Sequence, residues 1–159
     1  AKLQGIDLST SNEEMVAKSA YCVSERILAG DPMKKAHKHY HLDWSIVPAE
    51  PARFENLVAC HVLKWVHFQQ DALGRDVELR YFRDADGREV DFVVVEGRAP
   101  ILLVECKWSD GDVDRSLRYL KAKFPRAEAW QISATGTKDY LTPNGIRVAP
   151  ALALLGRLV

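Results

Sequence analysis

The sequence predicts an α/β protein in which a mixed central sheet is flanked by helices. Two observations support this class. First, residues 92–95 (FVVV) and 101–104 (ILLV) are continuous apolar runs, which are typical of strands that are buried on both faces of a sheet. Second, from residue 52 the predicted elements follow the order helix, three strands, helix, strand. Helices and strands that alternate in this way favour a layered α/β arrangement.

The N-terminal part of the chain is predicted to be mainly helical. Residues 11–14 (SNEE) form a capping box, and apolar residues recur at helical spacing from Met15 to Ile27 until residues 30–32 (GDP) end the pattern. Residues 33–47 show a shorter, β-like pattern that ends near Pro48 and Pro51. We therefore expect residues 1–39 to form an N-terminal helical extension packed on the core, and residues 40–159 to form the main domain.

The main domain is predicted to begin with a long helix over residues 52–70, which is followed by strands over residues 77–83, 89–96 and 100–108. Asp86 and Gly87 supply the turn between the first two strands, because Asp-Gly tolerates positive φ. A second helix over residues 112–124 ends near Pro125, and strands follow over residues 127–133 and 146–148. Pro150 is placed to open a closing helix, since proline suits the first turn.

Composition and charge describe an ordinary globular chain. The 159 residues are 47% hydrophobic and 28% charged, and 22 basic residues balance 22 acidic ones. The length suits one domain with a real core, and zero net charge means that any binding to nucleic acid must come from a local patch. No apolar run approaches the length of a membrane span. Three cysteines without paired spacing favour a reducing compartment, so we expect a cytoplasmic protein with no membrane partner.

Glu55 is the first candidate functional residue. It falls near the middle of the apolar stripe of the long helix, in line with Ala59, Val62 and Val66. An ionised acid in that place needs a partner, a metal ion or a raised pKa. Alternatively, Glu55 is only a first-turn acid that suits the helix dipole and stays partly wet. The sequence leaves both interpretations open.

Asp91, Glu105 and Lys107 are charges within strands that are otherwise strongly apolar. Strand alternation places Glu105 and Lys107 on one side and Cys106 on the other. If Asp91 on the preceding strand faces that pair, the three residues form an oxygen-rich pocket with one fixed positive charge, and such oxygen ligands suit Mg²⁺. The alternative is a structural ion pair on the sheet surface, for example between Lys107 and Asp91.

This arrangement resembles the PD-(D/E)XK nuclease superfamily, which has a restriction-endonuclease-like αβββαβ core. Over roughly residues 40–159, the chain also looks like an uncharacterised prokaryotic domain family that usually follows an AAA-type ATPase module. One departure from the superfamily pattern is Val90, which stands where a proline usually precedes the Asp. The motifs that carry the second resemblance are residues 43–45 (DWS), 53–57 (RFENL), 80–83 (RYFR), 87–92 (GREVDF) and 104–107 (VECK).

The resemblance implies a metal-dependent nuclease-like domain that hydrolyses DNA phosphodiester bonds. Asp91, Glu105 and Lys107 would form the metal and catalytic triad, and Glu55 would be the auxiliary acid. The implied cofactor is Mg²⁺ or Mn²⁺, held by Asp91, Glu105 and Glu55, and no other cofactor is predicted. The sequence contains no Gly-x-x-x-x-Gly-Lys-Ser/Thr loop, so an ATPase would act as a partner protein in trans. A homodimer is left open.

A second function class is a catalytically silent module that binds nucleic acid or protein and regulates a partner, derived from an ATPase-associated protein. Zero net charge and the missing ATPase module favour this alternative. A toxin–antitoxin or mobile-element role is a third class that no residue singles out.

Further polar residues have both a functional and a structural interpretation. Gln131, on the strand after the second helix, is either a polar active-site residue or an ordinary strand amide. A helix face with Arg115, Arg118, Lys121 and Lys123 either holds a DNA backbone, which needs charge rather than sequence readout, or is simply solvated. The alternating His37, His39 and His41, next to three lysines, form a zinc site, a basic contact or an exposed edge strand. No cysteine spacing completes a zinc site with them.

Overall fold

The structure, a computed structural model, describes residues 20–23 and 38–159. Within these residues a six-stranded sheet is accompanied by a two-stranded sheet and three α-helices. A short 3₁₀-helix, Trp44–Ile46, precedes the first α-helix. The strands are β1 (Ala20–Val23), β2 (Lys38–His41), β3 (Val77–Arg83), β4 (Glu89–Glu96), β5 (Ala99–Lys107), β6 (Glu128–Ser133), β7 (Tyr140–Leu141) and β8 (Ile146–Pro150), and the helices are α1 (Glu50–Leu73), α2 (Arg115–Lys123) and α3 (Ala151–Leu155).

The larger sheet is mixed, and its strand order is β3-β4-β5-β6-β8-β7. Strands β3, β4 and β5 pair antiparallel, whereas β5, β6 and β8 pair parallel, and β7 is antiparallel to β8. From α1 to β6 the elements follow the order αβββαβ. The predicted α/β class, with a mixed sheet flanked by helices, is therefore confirmed.

Helices cover both faces of this sheet, and each face has its own core. The layer beneath α1 and α3 (the α1 layer) includes Val62, Phe92 and Val104. The layer beneath α2 (the α2 layer) includes Leu103 and Leu117. Leu103 and Val104 are neighbours that belong to opposite layers, as expected for a strand that is buried on both faces. The alternation is interrupted earlier in β5, where the register with β4 shifts and Ile101 packs on the same layer as Leu102.

Strand β4 contains a β-bulge at Asp91. Arg80 of β3 pairs with Val93, but Phe82 pairs with Val90, so two residues of β4 stand opposite one residue of β3. Val90 and Val93 both belong to the α2 layer, whereas Phe92 belongs to the α1 layer. The extra residue of a bulge re-aims the side chains next to it. Here it gives Asp91 access to the side of the sheet that α1 covers.

Helix α1 carries the first candidate residue and is longer than predicted. Pro51 lies in its first turn, and the helix ends at Gly74, which has φ of 63° and donates its backbone N–H to Gln70. These are favourable start and stop signals. Neither α1 nor any other helix in the described part of the chain is long and apolar enough to cross a membrane.

The predicted N-terminal helix is wrong at residues 20–23, which are the part of it that the structure describes. Residues 20–23 lie inside the predicted helix, but they form strand β1, which pairs antiparallel with β2. Tyr21, Cys22 and Val23 include β-branched and aromatic types that favour strands, and the pairing with β2 satisfies their backbone groups. The β-like prediction is confirmed at Lys38–His41. The rest of the predicted helix, and the packing of residues 1–39 on the core, lie outside the described residues.

Candidate functional site

The structure brings the four predicted site residues together at one end of the larger sheet. Glu55 lies in the second turn of α1, Asp91 at the bulge of β4, and Glu105 and Lys107 at the carboxyl end of β5. The backbone N–H of Asp91 points to Oε2 of Glu105 at 3.4 Å. We call the five carboxylates gathered here, Glu55, Glu89, Asp91, Glu105 and Asp114, the acidic cluster.

Each carboxylate oxygen of Asp91 has a hydrogen-bond partner. Its Oδ2 accepts the backbone N–H of Cys106 at 2.9 Å, and its Oδ1 lies 3.3 Å from Nζ of Lys38. Burial and the nearby carboxylate of Glu55 raise the pKa of Asp91 to about 6, although Lys38 and the Cys106 N–H act in the opposite direction. The side chain therefore does not simply face the Glu105–Lys107 pair as the sequence suggested, because the bulge directs it toward α1.

Glu105 is a buried acid with one close cationic partner. Its side chain is 9% exposed, and Oε1 accepts a hydrogen bond from Nζ of Lys107 at 2.8 Å. Burial and the charge of Asp91 raise the pKa of Glu105 to about 7, while Lys107 favours the ionised form. Two neighbouring carboxyl groups therefore have raised pKa values, and the main cause for both is burial away from water.

Lys107 bridges two carboxylates. Its Nζ lies 2.8 Å from Glu105 and 2.9 Å from Oδ2 of Asp114. Burial by itself would lower the pKa of Lys107, but hydrogen bonds and attraction from Glu105 and Asp114 raise it. The lysine is thus a fixed positive charge, and its partners are Glu105 and Asp114 rather than Asp91.

Asp114 belongs to the site but was not predicted. It is the N-cap of α2, where its Oδ1 accepts the backbone N–H groups of Ser116 at 2.8 Å and Leu117 at 3.4 Å. Burial tends to raise the pKa of Asp114, but Lys107 and these N–H groups lower it overall. An Asp immediately before a helix is a recognisable cap signal. The sequence could have revealed the cap, but not the contact with Lys107.

Gln131 supports the site from strand β6. It is 2% exposed, its Oε1 accepts the backbone N–H of Asp114 at 2.8 Å, and its Nε2 donates to the carbonyl of Asp112 at 3.0 Å. Gln131 pairs directly with Glu105 across the parallel strands β5 and β6. Its amide therefore fixes the loop that places Asp114 against Lys107.

Strand β2 supplies two further groups that sequence reasoning did not assign to the site. Nζ of Lys38 lies 3.3 Å from both Glu55 and Asp91, and it also contacts Glu89. The hydroxyl of Tyr40 donates to Oε1 of Glu55 at 2.6 Å. These partners are 15 to 53 residues apart in sequence, so no local pattern could have revealed them.

These contacts decide between the two interpretations of Glu55. Its side chain is 29% exposed and has two specific partners, so it is more than a solvated first-turn acid. Burial and the charge of Glu55 raise the pKa of Tyr40, which keeps the hydroxyl protonated as a donor. Burial alone would lower the pKa of Lys38, but Asp91, Glu55 and Glu89 together raise it.

The acidic cluster contains carboxylate oxygens, which are the donor type that a divalent cation uses. Within residues 38–159 no three acidic, histidine or cysteine side chains converge closely enough to form a ready-made metal cage. Mg²⁺, however, is usually held by only one or two carboxylates, with water and substrate phosphate completing its shell. Asp91 and Glu105 can supply those carboxylates, and their raised pKa values come first from burial and second from the charge of a neighbouring carboxylate. Glu55 is the third candidate ligand, and its Oε1 already contacts Lys38 and Tyr40 of β2.

The basic face of α2 is smaller than its sequence suggests. Lys121 donates to the carbonyls of Pro125 and Ala127, and Lys123 lies over the ring of Tyr119 at 4.7 Å. Arg115 and Arg118 are exposed. These two arginines are therefore the residues of this face best placed to contact a phosphate backbone.

The histidine segment is only partly described. His37 lies outside the described residues, His39 is exposed and His41 is half-buried. The backbone N–H and carbonyl of His41 bond to the side chain of Asn56 at 2.7 and 2.5 Å, which ties β2 to α1. In the described part of the chain, the histidines take part in no metal-binding group.

The fold and the site together define a class: an α/β domain with a mixed sheet and a partly buried acidic cluster at the end of its central strands. A family model matches residues 52–154, and the chain belongs to that family, which is described as a domain of unknown function (DUF4143). Domains of this family are commonly found with AAA ATPases. No curated protein matches the chain, and no solved structure does.

Proposed function

We propose that this domain is a metal-dependent nuclease of the PD-(D/E)XK type that hydrolyses DNA phosphodiester bonds. One observation carries the proposal. Asp91 and Glu105 lie near the ends of two adjacent central strands, burial raises the pKa values of both carboxyl groups, and the ammonium group of Lys107 is bound to Glu105. Perturbed acids of this kind, next to a specific charge partner, are typical of functional sites.

Asp91 and Glu105 would hold Mg²⁺ or Mn²⁺, and Glu55 would be an additional acid for the same ion. When bound, such an ion polarises a phosphoryl oxygen and lowers the pKa of water.

Lys107 has the chemistry to offset negative charge that develops on a phosphoryl oxygen. Asp114 and Glu105 hold its ammonium from two sides at 2.9 and 2.8 Å, so little reorganisation is needed when a substrate arrives. Gln131 holds the backbone N–H of Asp114 and therefore acts on Lys107 indirectly. Arg115 and Arg118 are exposed on α2, the helix that Asp114 caps, where they can attract a DNA backbone.

The test is DNA cleavage by the purified protein with Mg²⁺ or Mn²⁺ on linear, circular and branched substrates. Asp91→Ala and Lys107→Ala are expected to lower the rate about 100-fold or more, the size typical of losing one charge-stabilising group. Asp71→Ala and Lys64→Ala are matched controls, because both residues are exposed on α1. Equal cleavage by the wild-type protein and the two site variants would mean contamination and would end the proposal.

A catalytically silent regulatory module is the second candidate, and the position of Lys38 favours it. The Lys38 ammonium group contacts Glu55 and Asp91, two of the carboxylates proposed to bind the metal. In that case an ATPase partner in trans would be the target of regulation, and the acidic cluster would be structural. Calorimetric titration with Mn²⁺ separates the two candidates, since a silent module binds no metal at millimolar concentration.

A further inference from the structure

Two side chains on the same face of strand β2 contact one carboxylate, that of Glu55. Lys38 and Tyr40 are two residues apart, so they project to the same side of the strand. Both contact Oε1 of Glu55, the ammonium group at 3.3 Å and the hydroxyl at 2.6 Å. Lys38 also lies 3.3 Å from Oδ1 of Asp91. One ammonium group therefore joins two of the three acids proposed to bind the metal.

The Lys38 ammonium group places a positive charge between two acids of the cluster, Glu55 and Asp91. Only 19% of its side chain is exposed, and a lysine is seldom buried to that extent unless it is paired. Its partners sit on two different elements, Glu55 on α1 and Asp91 on β4. An ion held by the same two oxygens would meet this positive charge at close range, where repulsion is strong.

We propose that Lys38 is a built-in cation that competes with the divalent metal for Glu55 and Asp91, so that the metal binds fully only after Lys38 has left them. This inference rests on the proposed function, because it assumes that the acidic cluster can bind a metal. It makes β2 an autoinhibitory element of the site.

Lys38 has a further carboxylate partner besides Glu55 and Asp91. It contacts Glu89 as well as the two site acids, and Glu89 is also paired with Arg83. A groove of about 370 Å³, lined by β2 and the start of α1, lies directly beside Lys38 and Glu55. Lys38 thus has a carboxylate partner outside the proposed metal ligands, and open space next to its side chain.

The competing lysine also lies outside the part of the chain that the family model matches. The family match covers residues 52–154, which contain Glu55, Asp91, Glu105 and Lys107. Lys38 and Tyr40 precede that segment. The metal-binding acids and the group that blocks them are thus contributed by different parts of the chain.

The first experiment is calorimetric titration of Mn²⁺ into wild-type protein, Lys38→Met and Lys38→Arg at pH 7.5. Lys38→Met keeps the length of the side chain without its charge, and we expect it to bind Mn²⁺ about tenfold more tightly or better. Lys38→Arg keeps the charge and is expected to stay within about threefold of the wild-type affinity. Lys64→Met is the matched control, because Lys64 is an exposed lysine on α1 and its replacement should change nothing.

A second measurement uses the unaltered protein, so it does not depend on how a variant folds. Lysine-selective acetylation, followed by mass spectrometry, reports the accessibility of each ammonium group. If Mn²⁺ displaces Lys38 from the carboxylates, its acetylation rate rises when Mn²⁺ is added, while that of Lys64 does not change.

The outcomes separate this inference from the proposed function. Equal Mn²⁺ affinity of wild-type protein and Lys38→Met, or weaker binding by the variant, overturns the competition and leaves a metal site in place. Failure of both proteins to bind millimolar Mn²⁺ overturns both ideas. Binding by Lys38→Met alone, or a clear gain over wild type, supports the competition, and faster acetylation of Lys38 with Mn²⁺ supports it independently.

Discussion

Asp91 and Glu105 differ from Glu89 and Asp114 because burial outweighs their cationic partners. Both carboxyl groups have raised pKa values, about 6 and about 7. In contrast, Lys107 and the backbone N–H groups at the start of α2 lower the pKa of Asp114. A carboxyl whose pKa is higher in the folded state takes up protons on folding, so its contribution to stability is greatest below the unfolded pKa near 4 and is lost as pH rises toward 7. The site therefore carries a stability cost at neutral pH, as functional sites often do.

Replacing Asp91 with Asn is expected to stabilise the protein at neutral pH. The substitution removes the buried charge, while the amide oxygen can still accept the N–H of Cys106. We expect the free energy of unfolding at pH 7.5 to rise by about 1–2 kcal/mol, and the gain to disappear near pH 4, where Asp91 is already protonated. Urea denaturation at both pH values measures this, with the exposed Asp71→Asn as control. A loss of stability at pH 7.5 would show that the negative charge of Asp91 holds the fold together.

Metal affinity should depend on pH for the same reason. Carboxylates must lose their protons before they bind a cation. With the pKa values of Asp91 and Glu105 at about 6 and about 7, the affinity for Mn²⁺ is expected to rise steeply between pH 5.5 and 7.5 and to level off above that. Calorimetry across this range tests the prediction. An affinity that does not change with pH would place the metal on other ligands.

At the scale of elements, the sequence predicted most of the sheet and missed the contacts between elements. The bounds of β3 and β4 agree with the prediction, because alternating or continuous apolar runs and the Asp86-Gly87 turn define them. Strand β7 was missed, since Tyr140 and Leu141 form a two-residue strand with both side chains exposed. Strand β1 was mistaken for helix because its local pattern also fits a helical face, and only its pairing with β2 decides the matter.

Asn56 holds β2 against α1 and should be important for stability. It is 3% exposed, and its amide bonds both backbone groups of His41. Asn56→Ala removes the side-chain partner of the His41 N–H and leaves the His41 carbonyl with only the weaker contact from Sγ of Cys60 at 3.2 Å. We therefore expect a loss of about 1–3 kcal/mol in the free energy of unfolding. Faster hydrogen exchange at the His41 amide should accompany it.

Asn144→Ala is the control for Asn56, since Asn144 is exposed in a turn, and it should cost about 0.5 kcal/mol or less. Equal losses from the two variants would contradict the role of Asn56.

At the scale of the whole molecule, the two hydrophobic cores on opposite faces of the larger sheet hold the strands that carry the candidate site. Phe92 in β4 is completely buried, and its ring centroid lies 5.6 Å from that of Tyr40. The hydrophobic pattern was enough to predict this architecture. It also singled out Glu55, Asp91 and Glu105 as candidates, because each is an acid where the pattern calls for an apolar residue. Asp114 and Lys38 sit where polar residues are ordinary, so only the folded chain reveals their roles.

Phe92→Ala is expected to destabilise the molecule by about 3–5 kcal/mol, because it removes a large side chain from a filled core. Phe68→Ala is a control of the same chemistry, since Phe68 is 52% exposed on α1, and it should change stability by about 0.5 kcal/mol or less. Thermal or urea unfolding of both variants gives the comparison. Similar losses would mean that the core does not lie beneath α1 as described.

The bulge in β4 has a consequence for the direction from which anything can reach the acids. It turns Asp91 toward the side of α1, where Lys38 and Glu55 lie, whereas Glu105 and Lys107 follow Leu103 in the alternation of β5 and face α2. A ligand that touches Asp91 and Glu105 together cannot lie flat on either face of the sheet. It has to approach along the strand axes and straddle the tips of β4 and β5, so the entrance to the site is the end of the sheet itself.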